Sequence, residues 1–247
     1  MPDNTSTTAA GAPALRPELP PLPAYMRHLP VDHRGYVVPW FVAWVEGQPD
    51  HRVVDGPKIA QAVRERRCWL CGQPLGRSLA FLLGPMCAIN RVISEPPSHR
   101  ECAAYAVRAC PFLSRPRMHR RETGMPAEVR EAAGYGIPRN PGVVLVWITR
   151  SYRLRPAPGG GVLFAVGDPV ETHWYCEGRT ATRAEVLESV TSGLPLLENL
   201  ARTEGLRAQE ALRQMVARAM TLLPPQEEPH GGPFGANAHD NGVTVTT

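Results

Sequence analysis

The sequence predicts an α+β fold, and three observations support this class. Short segments rich in β-branched and aromatic residues indicate strands, and longer segments with apolar residues at helical spacing indicate helices. Hydrophobic residues make up 43% and charged residues 20% of the 247-residue chain, so a packed core can form. No apolar run approaches the roughly 20 residues that a membrane-spanning helix needs.

Composition divides the chain into four parts. Residues 1–24 are rich in Pro, Ala and Thr, and are predicted to form a disordered tail. A cysteine-rich region with an N-terminal hairpin is expected over residues 25–121. A small antiparallel sheet, arranged as a β-meander with C-terminal helices, is expected over residues 143–223. Residues 224–247 lack apolar periodicity and predict a second disordered tail.

The start of the folded region predicts a hairpin followed by a helix. Residues 36–45 have the composition of a strand, in which Pro39 indicates an edge or a bulge because it cannot donate to a β-ladder. Residues 52–54 are expected to return as the paired strand. Pro57 suits the first turn of a helix that we expect to reach about Arg67.

A short strand and a helix are expected in the middle of the cysteine-rich region. Residues 79–83 are apolar and predict the strand. Ser98 is followed three residues later by Glu101, which is the pattern of a capping box. This pattern predicts a helix from Ser98 to Cys110.

The second region starts with strands. We expect one long strand over residues 143–154 and a turn over residues 156–161. Two further strands are predicted at residues 162–166 and 171–176, where β-branched and aromatic residues recur. These strands would form the meander.

Two helices are predicted to follow the meander. Thr182 and Glu185 form a second capping-box pattern, and the helix that they open is expected to end near Gly193. Residues 206–223 carry apolar side chains at helical spacing and predict one last amphipathic helix. Its apolar stripe is expected to cover the protein's own core.

Four residues predict a metal site. Cys68 and Cys71 have the two-residue spacing of a zinc knuckle, and Gly72 relieves the tight turn after them. His99 and Cys102 are three residues apart in the first turn of the predicted helix and share one face. The positive end of that helix is expected to favour the thiolate form of Cys102. We therefore predict a closed, four-coordinate, non-catalytic zinc site.

This pattern of Cys-x2-Cys followed by His-x2-Cys resembles treble-clef and LIM-like zinc sites, over residues 68–110 only. The resemblance implies a knuckle, a short hairpin and then a helix whose first turn supplies two ligands. The two ligand pairs are farther apart than in a LIM finger, so the geometry is expected but not the LIM function. Three alternatives stay open: a redox Cys-x2-Cys motif, free buried cysteines, or a site in which Cys87 or Cys110 replaces His99.

Several longer stretches resemble a family of zinc-finger-like proteins of actinobacteria and their phages. These stretches are LPVDHRG at 29–35, VPWF at 38–41, GPMCAINR at 84–91 and EPPSH at 95–99. The resemblance is clear over residues 29 to about 121. It implies that the cysteine-rich block is a unit, and it implies no particular reaction because the family is uncharacterised.

The net charge of +4 conceals an asymmetry. Residues 51–121 hold 13 basic and 4 acidic residues, a balance of +9, while the remainder holds 14 basic and 19 acidic residues, a balance of −5. Such a positive block attracts polyanions, and arginine suits phosphate contacts. Arginines on both sides of the predicted site are therefore expected to share one nucleic-acid-binding surface: Arg64, Arg66, Arg67, Arg115, Arg117, Arg120 and Arg121. A solvated basic surface, or an acidic partner within the chain, is the alternative.

An HNH-type nuclease is the enzymatic alternative, because that active site is built on a treble clef. It would need a histidine general base between the knuckle and the helix, and no histidine occurs between Cys71 and His99. Asp32, His33 and His51 are expected in surface loops. We therefore favour a binding protein over an enzyme.

The expected partner is nucleic acid, or, as a third hypothesis, another protein that contacts the C-terminal region. No membrane contact is expected. The first 23 residues lack the basic-then-apolar layout of a signal peptide, and cysteines in a reducing compartment bind metal rather than form disulfides. We therefore expect a cytoplasmic, zinc-binding protein.

Overall fold

The computed structural model describes residues 13–115, 123, 140–157 and 160–226. Over these residues the fold is α+β, which confirms the predicted class. The strands form three antiparallel sheets of two, four and three strands. None of the helices in these residues is long and apolar enough to cross a membrane.

The elements are numbered in chain order. The strands are β1 (Val42–Val45), β2 (Gln48–Val54), β3 (Leu79–Leu83), β4 (Val92–Ile93), β5 (Val143–Thr149), β6 (Tyr152–Pro156), β7 (Val162–Val166), β8 (Pro169–Cys176) and β9 (Arg179–Thr180). The helices are α1 (Gly56–Glu65), α2 (Pro85–Asn90), α3 (Arg100–Ala109), α4 (Pro111–Ser114), α5 (Arg183–Glu204) and α6 (Leu206–Met220), and a 3-10 turn covers Ala24–Met26.

The N-terminal hairpin pairs β1 with β2, as predicted, but its first strand is shorter than expected. The strand predicted over residues 36–45 is wrong for its first half. Val37 pairs instead with Val31 in an isolated bridge, and the backbone N–H of Trp40 donates to the carbonyl of Leu70 at 2.8 Å. The residues around Pro39 thus bond to two other segments rather than to β2.

Strand β5 is the centre of the largest sheet, whose order is β3-β5-β8-β9, and it is buried along its whole length. Its side chains point alternately to the two faces of the sheet. Leu145 and Trp147 enter the largest core cluster, which also contains residues of α2, α5 and α6. Val144 and Val146 pack on the other face, against Val107 of α3. Helix α3 is thereby held against the sheet.

The third sheet has the order β4-β7-β6. The single strand predicted over residues 143–154 is wrong, because β5 and β6 belong to different sheets. Thr149 produces the break: its hydroxyl donates to the carbonyl of Asp168 at 2.8 Å and accepts from the backbone N–H of Ser151 at 3.3 Å. The chain therefore changes direction after β5 and continues in the neighbouring sheet.

Helix α5 begins as predicted and ends later than predicted. Thr182 and Glu185 form a complete capping box. The expected end near Gly193 is wrong, since the helix continues through Gly193 and Pro195 to Glu204. Gly193 instead makes room for Met86, because a Cβ at this glycine would lie 3.0 Å from the Met86 Cε.

Helix α6 covers the core with its apolar stripe, as predicted. Leu212 is buried, and Met215, Val216 and Ala219 pack against the largest cluster. Leu206, at the start of the helix, is 83% exposed and is not part of the stripe.

Part of the predicted N-terminal tail is structured. Leu15, Leu19 and Leu22 pack against a second core cluster that contains Cys68 and Cys102. The tail prediction for residues 1–24 is therefore wrong over residues 13–24, because leucines in a proline-rich segment still find an apolar surface. Residues 1–12, and residues 227–247 of the predicted C-terminal tail, lie outside the described residues.

Candidate metal centre

A tight backbone turn positions the first two cysteines. Arg67 and Pro74 form an isolated bridge, and the backbone N–H of Cys68 donates to the carbonyl of Gln73 at 2.8 Å. Gly72 closes the turn with a φ of +72°, and a Cβ there would lie 2.6 Å from the ring of Trp40. Only glycine satisfies both the positive φ and this close approach. The turn thus places the Cys68 and Cys71 side chains on one side.

The start of α3 positions the other two residues, although not through the predicted capping box. His99 is the N-cap residue of the helix, and no side chain caps it. Ser98 belongs to a strand-like pairing instead: its backbone N–H and carbonyl both bond to Ala80, at 2.8 and 2.9 Å. The helix therefore begins at Arg100, and Cys102 lies in its first turn.

The four side chains converge on one buried point. The ligand atoms of Cys68, Cys71, His99 and Cys102 all lie within 4.8 Å of one another, and all four residues are buried. The His99 Nδ1 lies 3.3 Å from the Cys71 Sγ and 3.9 Å from the Cys102 Sγ. Tetrahedral zinc with bonds of about 2.1 Å to nitrogen and 2.3 Å to sulfur separates its ligand atoms by roughly 3.5–3.8 Å. The cluster can therefore hold a metal ion of this size.

The imidazole of His99 is oriented by contacts outside the cluster. Its Nε2 lies 2.9 Å from the carbonyl oxygen of Pro74. Because a carbonyl can only accept, this hydrogen bond requires a proton on Nε2, so in the neutral, metal-binding form of His99 the lone pair is on Nδ1, which faces the cysteines. The Tyr25 ring stacks on the imidazole at 4.1 Å and an interplanar angle of 11°. A hydrogen bond from the second ring nitrogen to a backbone carbonyl, as His99 makes to Pro74, is typical of histidines that bind metals.

Backbone donors and neighbouring thiols set the charge of the cluster. The N–H groups of Cys71 and His99 donate to the Cys68 Sγ at 3.5 and 3.3 Å. Burial opposes ionisation of Cys68, but hydrogen bonds from Cys102 and Cys71 outweigh it and lower the pKa of Cys68. Hydrogen bonding to Cys68 and Cys71 conversely raises the pKa of Cys102.

Among the four side chains without a metal, the neighbouring sulfurs therefore oppose the Cys102 thiolate, and the expectation that the helix end favours this thiolate in the metal-bound site stays a prediction. The neighbouring sulfurs act on Cys102 at closer range than the helix dipole. Burial lowers the pKa of His99, but its bonds to Cys68 and Cys71 raise it to about 10. Metal binding by this set requires three thiolates and a neutral imidazole, so a bound cation would displace the protons that Cys102 and His99 hold in its absence.

The remaining cysteines lie outside this cluster. All six cysteines are free, and neither Cys87 nor Cys110 belongs to the group that could hold a metal. Cys87 packs against the largest core cluster, and burial raises its pKa to about 11. The structure therefore places His99, and not Cys87 or Cys110, with the knuckle.

The segment between the knuckle and α3 differs from the expected short hairpin. Strand β3 pairs with β5 and strand β4 pairs with β7, so the two strands of this segment belong to different sheets. The expectation of a local hairpin is wrong because both strands find partners far along the chain. Residues 72–98, which separate the two ligand pairs in sequence, contain β3, α2 and β4, and these elements contribute side chains to the largest core cluster.

The predicted arginine surface is only partly described. Arg64 and Arg67 both bond to Glu65, and Arg67 also donates to the carbonyl of Gly72 at 2.8 Å. Arg66 ends α1 in the left-handed conformation, with a φ of 49°. Arg115 is exposed at the end of α4, and Arg117, Arg120 and Arg121 lie outside the described residues. That the seven arginines share one surface stays a prediction.

A buried carboxylate is a feature that the sequence interpretation missed. Asp32 is 4% exposed and accepts hydrogen bonds from Arg34 and from the backbone N–H of Tyr36. His51 lies within ion-pair distance of it, at 3.2 Å, without the alignment of a hydrogen bond. The surface-loop prediction is therefore wrong for Asp32. An aspartate with an arginine two residues later and a glycine three residues later is the signal that could have indicated such a turn.

Comparisons with protein-family models, with curated proteins and with solved structures find no match to this chain.

Proposed function

We propose that the Cys68, Cys71, His99 and Cys102 cluster binds one zinc ion, that the ion is structural, and that the protein is a binding protein rather than an enzyme. The convergence of four buried ligand atoms within 4.8 Å carries this proposal. A donor set of three sulfurs and one nitrogen is typical of zinc among the common divalent metals. With four protein ligands the ion would have no open position for a substrate.

The proposed ion would reinforce contacts that already join two parts of the chain, since His99 bonds to the carbonyl of Pro74 and the N–H of Trp69 donates to the carbonyl of Pro97 at 3.0 Å. It would connect the knuckle to the first turn of α3, which is the arrangement of a treble-clef-like site. Structural zinc contributes on the order of 10 kcal/mol to folding at neutral pH. The second core cluster contains Cys68, Cys71 and Cys102 together with Met26 and Tyr105, so the same ion would stabilise the packing of the N-terminal segment.

Metal analysis of a matched pair of variants tests the ligand assignment. The purified wild-type chain and a Cys87→Ser variant should both contain about one zinc ion per chain. A Cys71→Ser variant should lose most of the zinc and melt at a lower temperature. Full zinc content in Cys71→Ser would contradict the assignment, and another metal in the wild type would contradict zinc.

Contact with nucleic acid is a proposal that the charge of residues 51–121 supports. This block carries a balance of +9, and the Arg64 side chain is 69% exposed despite its bond to Glu65. Phosphate contacts from such arginines would give affinity without reading sequence. The alternatives are that the same charges contact a protein partner or form a solvated basic surface.

The salt dependence of binding distinguishes contact with nucleic acid from these alternatives. If several phosphates are contacted, affinity for a DNA duplex should fall steeply between roughly 50 and 200 mM salt. A variant with Arg64→Gln and Arg67→Gln should bind more weakly than one with Arg202→Gln and Arg207→Gln, which removes the same charge from α5 and α6. Equal affinities of the two variants, or no binding at low salt, would contradict the proposal.

Catalysis at the cluster has less support. The HNH-type alternative needs a histidine between the knuckle and α3, and residues 72–98 contain none. A magnesium-dependent nicking assay tests it directly, and we expect no nicking. We further propose a cytoplasmic location, because the thiolate ligands require reducing conditions, and membership of the actinobacterial and phage family that the sequence resembles.

A further inference from the structure

A groove rich in arginine lies between helix α6 and the three-stranded sheet, away from the metal centre. Its volume is about 620 Å³. Its lining includes four arginines and one aspartate, a formal balance of +3: Arg91, Arg153, Arg155, Arg218 and Asp168. Among the described residues, the lining shares none with the Cys3His cluster or with Arg64, Arg66, Arg67 and Arg115.

The pairing of three strands aligns part of the lining of this groove. Val92 of β4 pairs with Ala165 of β7, and Ala165 pairs with Arg153 of β6. Directly paired residues point to the same face of a sheet, so these three side chains form one row across it. Arg155 lies two residues beyond Arg153 and shares its face.

Three of the four guanidinium groups are available to a ligand. Within the described residues, Arg153, Arg155 and Arg218 form no ion pair; Arg218 makes one long bond, of 3.4 Å, to the carbonyl of Gln214. Arg91 is held instead, by an ion pair with Asp168 at 2.6 Å and by its position over the Trp147 ring. Among the residues that the structure describes, arginine groups without an ion pair thus line a groove whose one carboxylate, that of Asp168, is already paired.

Protection of a sheet edge does not account for this arrangement. Strand β6 is at the edge of its sheet, and charged side chains on an edge strand prevent pairing with other chains. That role would explain Arg153 and Arg155. It would not explain why Arg218 from α6 and Arg91 from the end of α2 line the same groove.

We propose that this groove binds a small molecule that carries a phosphate chain, such as a nucleoside diphosphate or triphosphate. The planar fork of each guanidinium can bond two phosphoryl oxygens at once, and several arginines converging from two elements match a ligand with several phosphates. The volume lies within the range of small-molecule sites. The proposal does not depend on zinc binding.

Calorimetric titration of the full-length, zinc-loaded protein with inorganic tripolyphosphate tests the site. The test variant carries Arg153→Gln and Arg155→Gln. The control variant carries Arg150→Gln and Arg207→Gln, two exposed arginines outside the groove, and so has the same net charge. Wild type and control should bind with equal affinity, and the test variant should bind at least about tenfold more weakly.

Two results would overturn the proposal. One is an absence of binding to the wild type; the other is an equal loss in the test and control variants, which would show that net charge alone attracts the anion. All three proteins should keep the same melting temperature. An Arg218→Gln variant provides a second route, because it removes a groove arginine from a different element and should also weaken binding at least about threefold.

A parallel titration distinguishes the source of the phosphates. A nucleoside triphosphate should compete with tripolyphosphate for the groove. A single-stranded DNA of about 20 nucleotides, which is longer than one small binding domain covers, should bind the Arg153/Arg155 variant and the control equally. If instead only the DNA shows dependence on Arg153 and Arg155, the ligand is a polymer and the small-molecule proposal is wrong.

Discussion

At the scale of single residues, His99 connects the candidate metal centre to the fold. Its Nδ1 faces the cysteines, its Nε2 bonds to Pro74, and its ring stacks on Tyr25. Each contact uses a different part of the imidazole. Substitution can therefore separate the role of His99 as a ligand from its role in packing.

We expect His99→Cys to keep the zinc ion and His99→Ala to lose it. Cysteine supplies a fourth sulfur ligand but neither the stack on Tyr25 nor the bond to Pro74, so the free energy of unfolding should fall by about 1 kcal/mol. Alanine supplies no ligand, and zinc affinity should fall by more than about 100-fold. Competition with a chelator measures the affinity, and denaturant titration measures the stability. Equal zinc affinity in His99→Ala and wild type would remove His99 from the site.

The four candidate ligands could be predicted because each pair is local in sequence. A two-residue spacing fixes the distance between two side chains whatever the rest of the fold does. The burial of Asp32 could not be predicted in the same way, since it depends on a contact with His51, 19 positions along the chain. The capping box at Ser98 failed for a similar reason, because pairing with Ala80 uses the backbone of Ser98.

At the scale of elements, helix α5 shows which local signals hold. Its capping box formed as the sequence predicts, since both partners lie within one turn. The end of the helix was not predicted correctly, because glycine and proline stop a helix only where packing does not compensate for them. The hydrogen bond from Arg179 lowers the pKa of Glu185 to about 2, against the opposing effect of burial, and the N–H of Thr182 adds to the lowering.

Stability that depends on the charge of Glu185 should disappear in acid. A carboxyl with a lowered pKa contributes stability above its ordinary value of 4.5, and this contribution is lost as the pH falls toward about 2. Glu185→Gln keeps a side chain that can complete the capping box. It should therefore be less stable than wild type at pH 7, and the difference should vanish toward pH 2.

Denaturant titration over this pH range measures the effect. Glu188→Gln, which removes an exposed carboxylate from the same helix, is the control and should match the wild type at every pH. A stability difference for Glu185→Gln that stays constant from pH 7 to pH 2 would show that its charge does not matter.

Gly193 should not tolerate a large side chain, although it lies inside a helix. Met86 Cε, Sδ and Cγ lie 3.0–3.2 Å from the position of a Cβ at Gly193. Gly193→Leu should therefore lower the free energy of unfolding by about 1–3 kcal/mol through overpacking. Thr191→Leu, on the exposed side of the helix, should change it by less than about 0.5 kcal/mol. Combining Gly193→Leu with Met86→Ala should restore part of the loss; no recovery would mean that Met86 is not the obstacle.

At the scale of the whole molecule, strand β5 links the two sides of the protein. One of its faces lies in the largest core cluster, and the other packs against α3, the helix that carries Cys102 of the candidate metal centre. The sequence could predict β5 as a strand but not its partners, because β3 lies more than 60 positions away and nothing local encodes that pairing. The same long-range pairing replaced the hairpin expected between the knuckle and α3.

Removal of zinc should therefore loosen one side of the molecule first. The knuckle and α3 depend on the four proposed ligands, whose binding energy is on the order of 10 kcal/mol. The largest cluster contains none of the four, so α6 should remain folded on the sheet. Hydrogen exchange read by mass spectrometry, with and without a zinc chelator, should show faster exchange in residues 66–75 and Arg100–Ala109 than in Leu206–Met220. Returning zinc should restore protection, whereas an equal rise in exchange along the whole chain would show that the two sides unfold as one unit.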